Sequence, residues 1–333
     1  MARDQLSIIA ETAFSHEGDL TYMKRQIEEA SVAGADYVKF QVLLAPDLYY
    51  HINHHMKDSI SKYMFDVPSW NLIIDYALQR NLKIILLPLE EKSLSFCFDN
   101  GYRISAIELH SVCLPDLHMI RTLRNWEKTL ILGVGGHRGT EVQQLIDNLG
   151  FPAGNLVLIH GFQSFPTILE HAELRKIKQL KEAFGCSVGY ADHTMFKDPN
   201  WKTACLLAVA LGASFIEKHV VVKAGEKRTD FESAVTGLEL LKLREDLDRL
   251  SAVLGNGDLS VLNNGESRYR ARGKQPVAVR ELTAETMLSP SDIVFRVCEG
   301  DNQLQESVTD FLVGKTLKRL IDKNEVINPG VLK

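Results

Sequence analysis

Several things are scarce in this chain, and each scarcity excludes a class of protein. Cysteine is rare: five residues among 333, an odd number, at positions 97, 113, 186, 205 and 298. None forms a C-x-x-C pair, and no spacing fits a zinc site, so a disulfide framework and a structural zinc are both excluded. The expectation is reduced, mostly buried thiols in a cytoplasmic protein. Long hydrophobic runs are also missing. The longest, Ala204 to Ile216, is too short to span a bilayer and is broken by Gly212. Met1 to Phe14 carries neither a basic segment nor a cleavable apolar region, so no membrane or secretory destination is expected. No run of Lys and Arg occurs, and the net charge is −5, which argues against a nucleic-acid surface. No fixed-period repeat is visible.

What is present is alternation. Apolar residues make up 45% of the chain, enough for a large core. Eight short strand-like runs fall at Leu6–Ala13, Tyr37–Val42, Lys83–Leu89, Ala106–Ser111, Thr129–Val134, Leu156–Gly161, Ser187–Asp192 and Phe215–Val220. Most are continuously apolar, as strands of a parallel sheet buried on both faces are. Helical signals lie between them. Leu174, Ile177, Leu180 and Phe184 share a helical face that Gly185 stops. Pro115 sits where a first helical residue belongs. Thr236 and Glu239 form a capping box ahead of Leu238, Leu241 and Leu247, and Gly255 ends that helix. Eight βα units over residues 1–255 predict a (β/α)8 barrel, with a doubly wound sheet as the alternative. Residues 256–273 are rich in Asn and Gly and read as linker. Residues 274–333 carry short strand-like runs, Pro276–Val279 and Ile293–Val297, without a long helix, and predict a small separate β-rich domain.

In a barrel the chemistry sits at the C-terminal strand ends. Those ends carry Glu17 past strand one, Lys39 and Gln41 on strand two, and Glu108, His110 and Ser111 on strand four. They continue with His160 on strand six, Asp192 and His193 on strand seven, and Glu217, Lys218 and His219 on strand eight. Polar groups in apolar strands are costly without partners, so their concentration at one end is informative. His193 and His219 end neighbouring strands and can serve one divalent metal or sit as hydrogen-bonded core histidines. Lys39 can hold a phosphate or carboxylate or belong to a core ion pair. Glu17 fits a general acid/base or a charged loop residue, and Asp19 an ordinary N-cap. The His51–His55 cluster lacks helical metal-ligand spacing and reads as a solvated or substrate-gating loop. Gly133-Val134-Gly135-Gly136 permits close approach of a phosphate.

Taken together, these residues resemble the sialic acid synthase family. The matching text is Ala10-Glu11, His16-Glu17-Gly18-Asp19-Leu20, Gly34 through Gln41, Gly189 through Thr194, Leu211 through His219, and the acidic segment Asp230 to Ser233. Val277–Leu282 and Gly314-Lys315 with Leu320-Ile321 are similar to the family's antifreeze-like domain. The resemblance implies an enzyme that joins phosphoenolpyruvate to an open-chain amino sugar such as N-acetylmannosamine and releases phosphate. It implies Mn²⁺, or Mg²⁺ or Co²⁺, on His193 and His219, and proton handling by Glu17. It further implies donor and sugar contacts from Lys39, Gln41, Ser111, Gln163, Asp192, Asp230 and Lys274, with His193 and Lys39 acting in the chemistry. A domain-swapped homodimer is implied as well.

The chain departs from the family pattern on the donor side. Leu87-Pro88 stands for Thr-Pro, Glu108 for Lys, and Gly133-Val134-Gly135-Gly136 for Ser-Thr-Gly-Met. Gln163 stands for Asn, Ala191 for Ser, and Lys274-Gln275 for Arg-Ser. A metal-dependent aldolase-type enzyme with another donor, or a catalytically silent binding paralogue, are therefore the alternative expectations.

Overall fold

The computed structural model describes residues 6–164, 166–299 and 312–333. The chain divides into two compact units, Met1–Gly255 and Asn256–Lys333.

The first unit is a closed parallel barrel. Its strands are β1 (Ser7–Glu11), β2 (Tyr37–Val42), β3 (Lys83–Pro88), β4 (Ala106–Leu109), β5 (Thr129–Gly133), β6 (Leu156–His160), β7 (Ser187–Asp192) and β8 (Phe215–Val220). Each pairs in parallel with the next, and β8 pairs back onto β1 through Glu11 opposite His219. That closure excludes the doubly wound sheet. The outer ring is α1 (Leu20–Val32), α4 (Val67–Leu78), α5 (Glu91–Asp99), α6 (Leu117–Leu123), α7 (Gly139–Leu149), α8 (Arg175–Phe184), α9 (Trp201–Ala210) and α10 (Gly237–Leu254). Two short helices, α2 (Pro46–Tyr49) and α3 (Lys57–Ser61), interrupt the long connection after β2.

Side chains alternate across each strand, so one set of residues points out to the helices and the other into the barrel. The outward set merges with the helices into one core containing Ile8, Val38, Ile84, Leu130 and Leu158, all fully buried. The inward set begins with an apolar layer of Ile9, Ile85, Ala106, Ile131, Val157 and Ile159. Above that layer the inward residues become polar, and this change of character makes the site.

Local signals are largely met. Asp19 caps α1 by accepting from the Thr21 and Tyr22 amides, and the Thr236–Glu239 capping box opens α10. Ile177 is the buried centre of the α8 face, and Gly185 follows in the left-handed conformation. Three details differ. Asp116 caps α6, so Pro115 lies before the helix instead of at its first position. Leu238 faces solvent, while Leu240, Leu243 and Leu247 form the buried stripe of α10. Finally, β4 stops at Leu109, because His110 turns to cap a short 3-10 segment that begins at Ser111.

The second unit contains a helix that the linker composition hid, α11 (Asn264–Arg270), opened by an Asn263–Glu266 capping box. The two predicted strand-like runs form β9 (Gln275–Ala278) and β10 (Ile293–Arg296), which pair antiparallel. The unit has its own core of Leu282, Leu288, Leu312, Leu317, Ile321 and Ile327. Residues 300–311, where no long helix was expected, lie outside the described residues, as do residues 1–5 of the N-terminal stretch. All five cysteines are free, and four of them are buried.

Candidate active site

The inward positions at the C-terminal ends of the strands converge on a cavity of about 370 Å³. Its floor is polar because β1, β2, β4 and β8 place Glu11, Lys39, Gln41, Glu108, Glu217 and His219 there. Its open side exists because β5, β6 and β7 place almost nothing there: Gly133, Gly161 and Ala191 line it instead. Those small residues are required. A Cβ on Gly161, whose φ is +143, would come within 2.2 Å of the Ala191 carbonyl oxygen.

Lys39 is the centre of the floor. Its ammonium lies 3.1 Å from Glu11, 3.0 Å from Glu108 and 2.7 Å from Glu217, and all four side chains are buried. Burial by itself would lower the Lys39 pKa, but the carboxylates of Glu108, Glu11 and Glu217 outweigh it and hold the amine charged. The three acids do not share equally. Burial pushes Glu108 and Glu217 up against the pull of Lys39. Glu11 is also penalised by burial, yet Lys39 and His219 together bring it well below the usual carboxylate range. Glu11 is thus the acid whose charged form this cluster favours most, and it accepts a further bond from Gln41 Nε2 at 2.7 Å.

Beside Lys39 lies a set suited to a metal. Glu11, His193 and His219 offer one ligand atom each, all within 4.8 Å of one another. The two imidazoles meet edge to face with ring centroids 4.9 Å apart. His193 Nδ1 is buried without a protein partner, and burial followed by the neighbouring His219 keeps that ring well below the ordinary imidazole pKa. A neutral imidazole with an unanswered lone pair, a second imidazole and an ionised carboxylate suit a divalent transition ion. On its other side His219 Nδ1 lies 3.4 Å from Ser233 Oγ, a contact that can fix the ring.

Of the residues singled out from sequence, Lys39, Gln41, Ser111, Gln163, His193 and His219 line this cavity. Glu17 and Asp230 lie beyond its lining, on two loops that meet. Glu17 accepts from the Thr229 amide at 2.9 Å and its hydroxyl at 3.2 Å, and Gln163 Nε2 donates to Asp230 at 2.8 Å. Glu17 and Asp230 both have left-handed backbones, φ 49 and 62, which non-glycine residues seldom adopt. Asp192 faces another way: it is enclosed between β7 and β8 by Lys218, Tyr190 and Thr194. His160 points outward and bonds the Ala172 carbonyl at 2.8 Å. Lys274 is an exposed residue of the second unit. The His51–His55 cluster is exposed, with His54 packed against Tyr50 and His55.

Glu11 was missed as a site residue, and Glu217, although noted at the end of strand eight, was given no role there. Period-two alternation would have found them, since Ile9 and Glu11, Lys39 and Gln41, and Glu217 and His219 are all spaced by two. Reading the strands as continuous apolar runs concealed that spacing.

The fold and this site define a (β/α)8 enzyme whose chemistry is gathered at the C-terminal mouth around a cluster able to bind metal. Residues 26–259 match the model of the NeuB family, and the chain belongs to that family. It is 25% identical over 302 residues to the N,N'-diacetyllegionaminic acid synthase of Campylobacter jejuni, covering 86% of this chain and 88% of that one. It is 23% identical to the N-acetylneuraminate-9-phosphate synthase of Drosophila melanogaster, covering 97% and 95%. Among solved structures, the N-acetylneuraminic acid synthetase of Leptospira borgpetersenii, in complex with citrate, superposes with a TM-score of 0.73 at 25% identity, covering 80% of this chain and 91% of that one. A protein assigned to spore coat polysaccharide biosynthesis in Chromobacterium violaceum has the same fold over 99% of this chain and 100% of that one, with a TM-score of 0.85 at 21% identity. The chain is accordingly a carbon–carbon bond-forming enzyme of the nonulosonic or sialic acid synthase type. No helix among the described residues is long and apolar enough to cross a membrane.

Proposed function

We propose that this enzyme condenses phosphoenolpyruvate with the aldehyde of an open-chain amino sugar such as N-acetylmannosamine. The observation that carries this reading is the convergence of Glu11, His193 and His219 beside Lys39 on the floor of one cavity. Those three residues would hold the divalent ion, Mn²⁺ or else Mg²⁺ or Co²⁺. When bound, the ion supplies Lewis-acid polarisation of the acceptor carbonyl. In the overall reaction the enol carbon of the donor bonds to the aldehyde carbon, water adds at the carbon bearing the phosphate ester, and phosphate leaves. Gln41 and Ser111, which line the cavity together with Lys39, present polar atoms for the donor. Gln163, held by Asp230, faces the acceptor hydroxyls. Glu17, held by Thr229 at the mouth, exchanges protons with the acceptor.

One observation favours a second reading, an aldol-type enzyme with a less anionic donor such as pyruvate. Among the described residues Lys39 is the only Lys or Arg that lines the cavity, and three carboxylates already occupy it. Phosphate release and product mass with phosphoenolpyruvate, Mn²⁺ and a panel of amino sugars separate the two. Equimolar phosphate and a nine-carbon acid support the first. Product formed from pyruvate alone, without phosphate release, supports the second, and no product with either donor sinks both.

A further inference from the structure

A second cavity of the barrel unit lies outside the active site, in the wall between α7 and α8. It has a volume of about 760 Å³. Its lining is mainly apolar, with Val142, Leu180 and Phe184 contributed by the two helices. Set into this lining are two cations, Arg138 at the start of α7 and Lys176 in the first turn of α8. Among the described residues no Asp or Glu lines the cavity. Neither cation has an ion pair among the described residues, although elsewhere on the barrel Arg80, Arg103, Arg228 and Arg244 all do. The nearby carboxylate of Glu141 is turned back, accepting from the Arg138 amide at 2.7 Å. The first-turn amides of α7, at Gly139 and Thr140, add donors that have no intrahelical acceptor.

From this we infer that the α7–α8 cavity is a second ligand site, one that takes a small organic anion with an apolar body and a carboxylate or phosphate head. The apolar lining removes the body from water. The head is held from both walls, by the planar fork of Arg138 and the ammonium of Lys176. The site is separate from the chemistry but adjoins it. Val134 and His160 line the outer cavity, while their chain neighbours Gly133 and Gly161 line the active site. His137, also in the outer lining, bonds the Ser111 carbonyl at 3.0 Å.

The test uses the full chain with Mn²⁺ and 2-naphthoate as probe, with 2-naphthylmethanol as its uncharged counterpart. We expect one naphthoate per chain by calorimetry, bound at least tenfold more tightly than the alcohol. Affinity should fall at least tenfold in the double variant Arg138→Ala/Lys176→Ala. It should fall similarly in Ala183→Phe, which fills the cavity from an exposed position on α8 and leaves the core intact. Binding should persist in His193→Ala, which separates this site from the active site. Naphthoate binding that is indifferent to Ala183→Phe, or no tighter than that of the alcohol, overturns the proposal. So does a change in sedimentation mass on Ala183→Phe, which would mean that a second copy of the chain covers the groove.

Discussion

At Lys39 one ammonium is surrounded by three buried carboxylates, and Glu108 is the one that stands where the family resemblance implies a lysine. Two unit charges 4 Å apart interact by roughly 4 kcal/mol at an effective dielectric near 20, so the sign of residue 108 weighs heavily on an anionic donor. Glu108→Lys leaves Glu11 and Glu217 to balance Lys39 and adds a free cation. It should tighten phosphoenolpyruvate binding at least tenfold, measured by calorimetry with Mn²⁺ at fixed salt. Tight binding by the native enzyme that weakens in Glu108→Lys would assign Glu108 to a cationic or hydroxyl group of the substrate instead. A second residue-scale effect comes from His16. Its ring is buried, stacks on Phe65 with centroids 4.7 Å apart, and accepts from the Gly18 amide, while its Nε2 has no partner. Burial, reinforced by Arg228, brings its pKa down to about 3. In the unfolded chain the same ring takes up a proton near its usual value, so the unfolded state binds the extra proton throughout the interval between the two. The stability conferred by the neutral ring is therefore complete above about pH 6.5 and is lost as the pH falls toward 3, at up to about 1.4 kcal/mol per pH unit. Urea melts at pH 7 and pH 5 should show this slope, and His16→Gln should flatten it. An unchanged slope in the variant would assign the acid sensitivity to other groups.

Among the elements, β7 and β8 are joined by more than their backbone ladder. Lys218 pairs with Asp192 and donates to the Thr194 carbonyl at 3.0 Å, Tyr190 donates to Asp192 at 3.0 Å, and the Lys218 ammonium stands 5.1 Å from the centre of the Trp201 ring. Both charged side chains are wholly buried. Removing one partner of such a pair leaves an uncompensated charge and typically costs about 3–5 kcal/mol, whereas replacing both with uncharged groups of similar volume is far milder. Lys218→Met should thus destabilise the barrel by that amount, and Lys218→Met/Asp192→Asn should recover most of it in chemical denaturation. The single variant Asp192→Asn bears on the role of Asp192. Asp192→Asn is expected to act on stability. If it raised the KM for the amino sugar with the melt unchanged, Asp192 would be a substrate contact after all.

For the whole molecule the open matter is assembly. The second unit has a core of its own, yet its N-terminal stretch exposes Leu259, Val261 and Tyr269, with Leu259 fully in solvent. Apolar side chains gathered in one short segment favour a covering surface, and a second copy of the chain is the partner that the family resemblance implies. Light scattering at micromolar concentration should give the mass of two chains, and Leu259→Ser/Tyr269→Ser should shift it toward one. A single-chain mass for the native protein would count against the homodimer.

The eight βα units, the small β-rich tail and the pair His193 and His219 were legible in the residues. Each depends on a local signal: apolar strand runs, caps such as Thr236–Glu239, and polar residues at strand ends. Helix α11 was hidden because Asn and Gly serve equally as caps and as linker. What the residues could not decide was company. Glu11 and His219 are separated by most of the barrel in sequence and become neighbours only because β8 closes onto β1. Glu108 meets Lys39 across the barrel interior, since strands two and four both point those side chains inward. Asp192 stands one residue from His193 and faces the opposite way, because successive residues of a strand alternate sides. Sequence thus fixes which chemical groups arrive at the mouth of the barrel. Strand closure and side-chain alternation decide which of them meet, and a buried charge takes its character from the groups it meets.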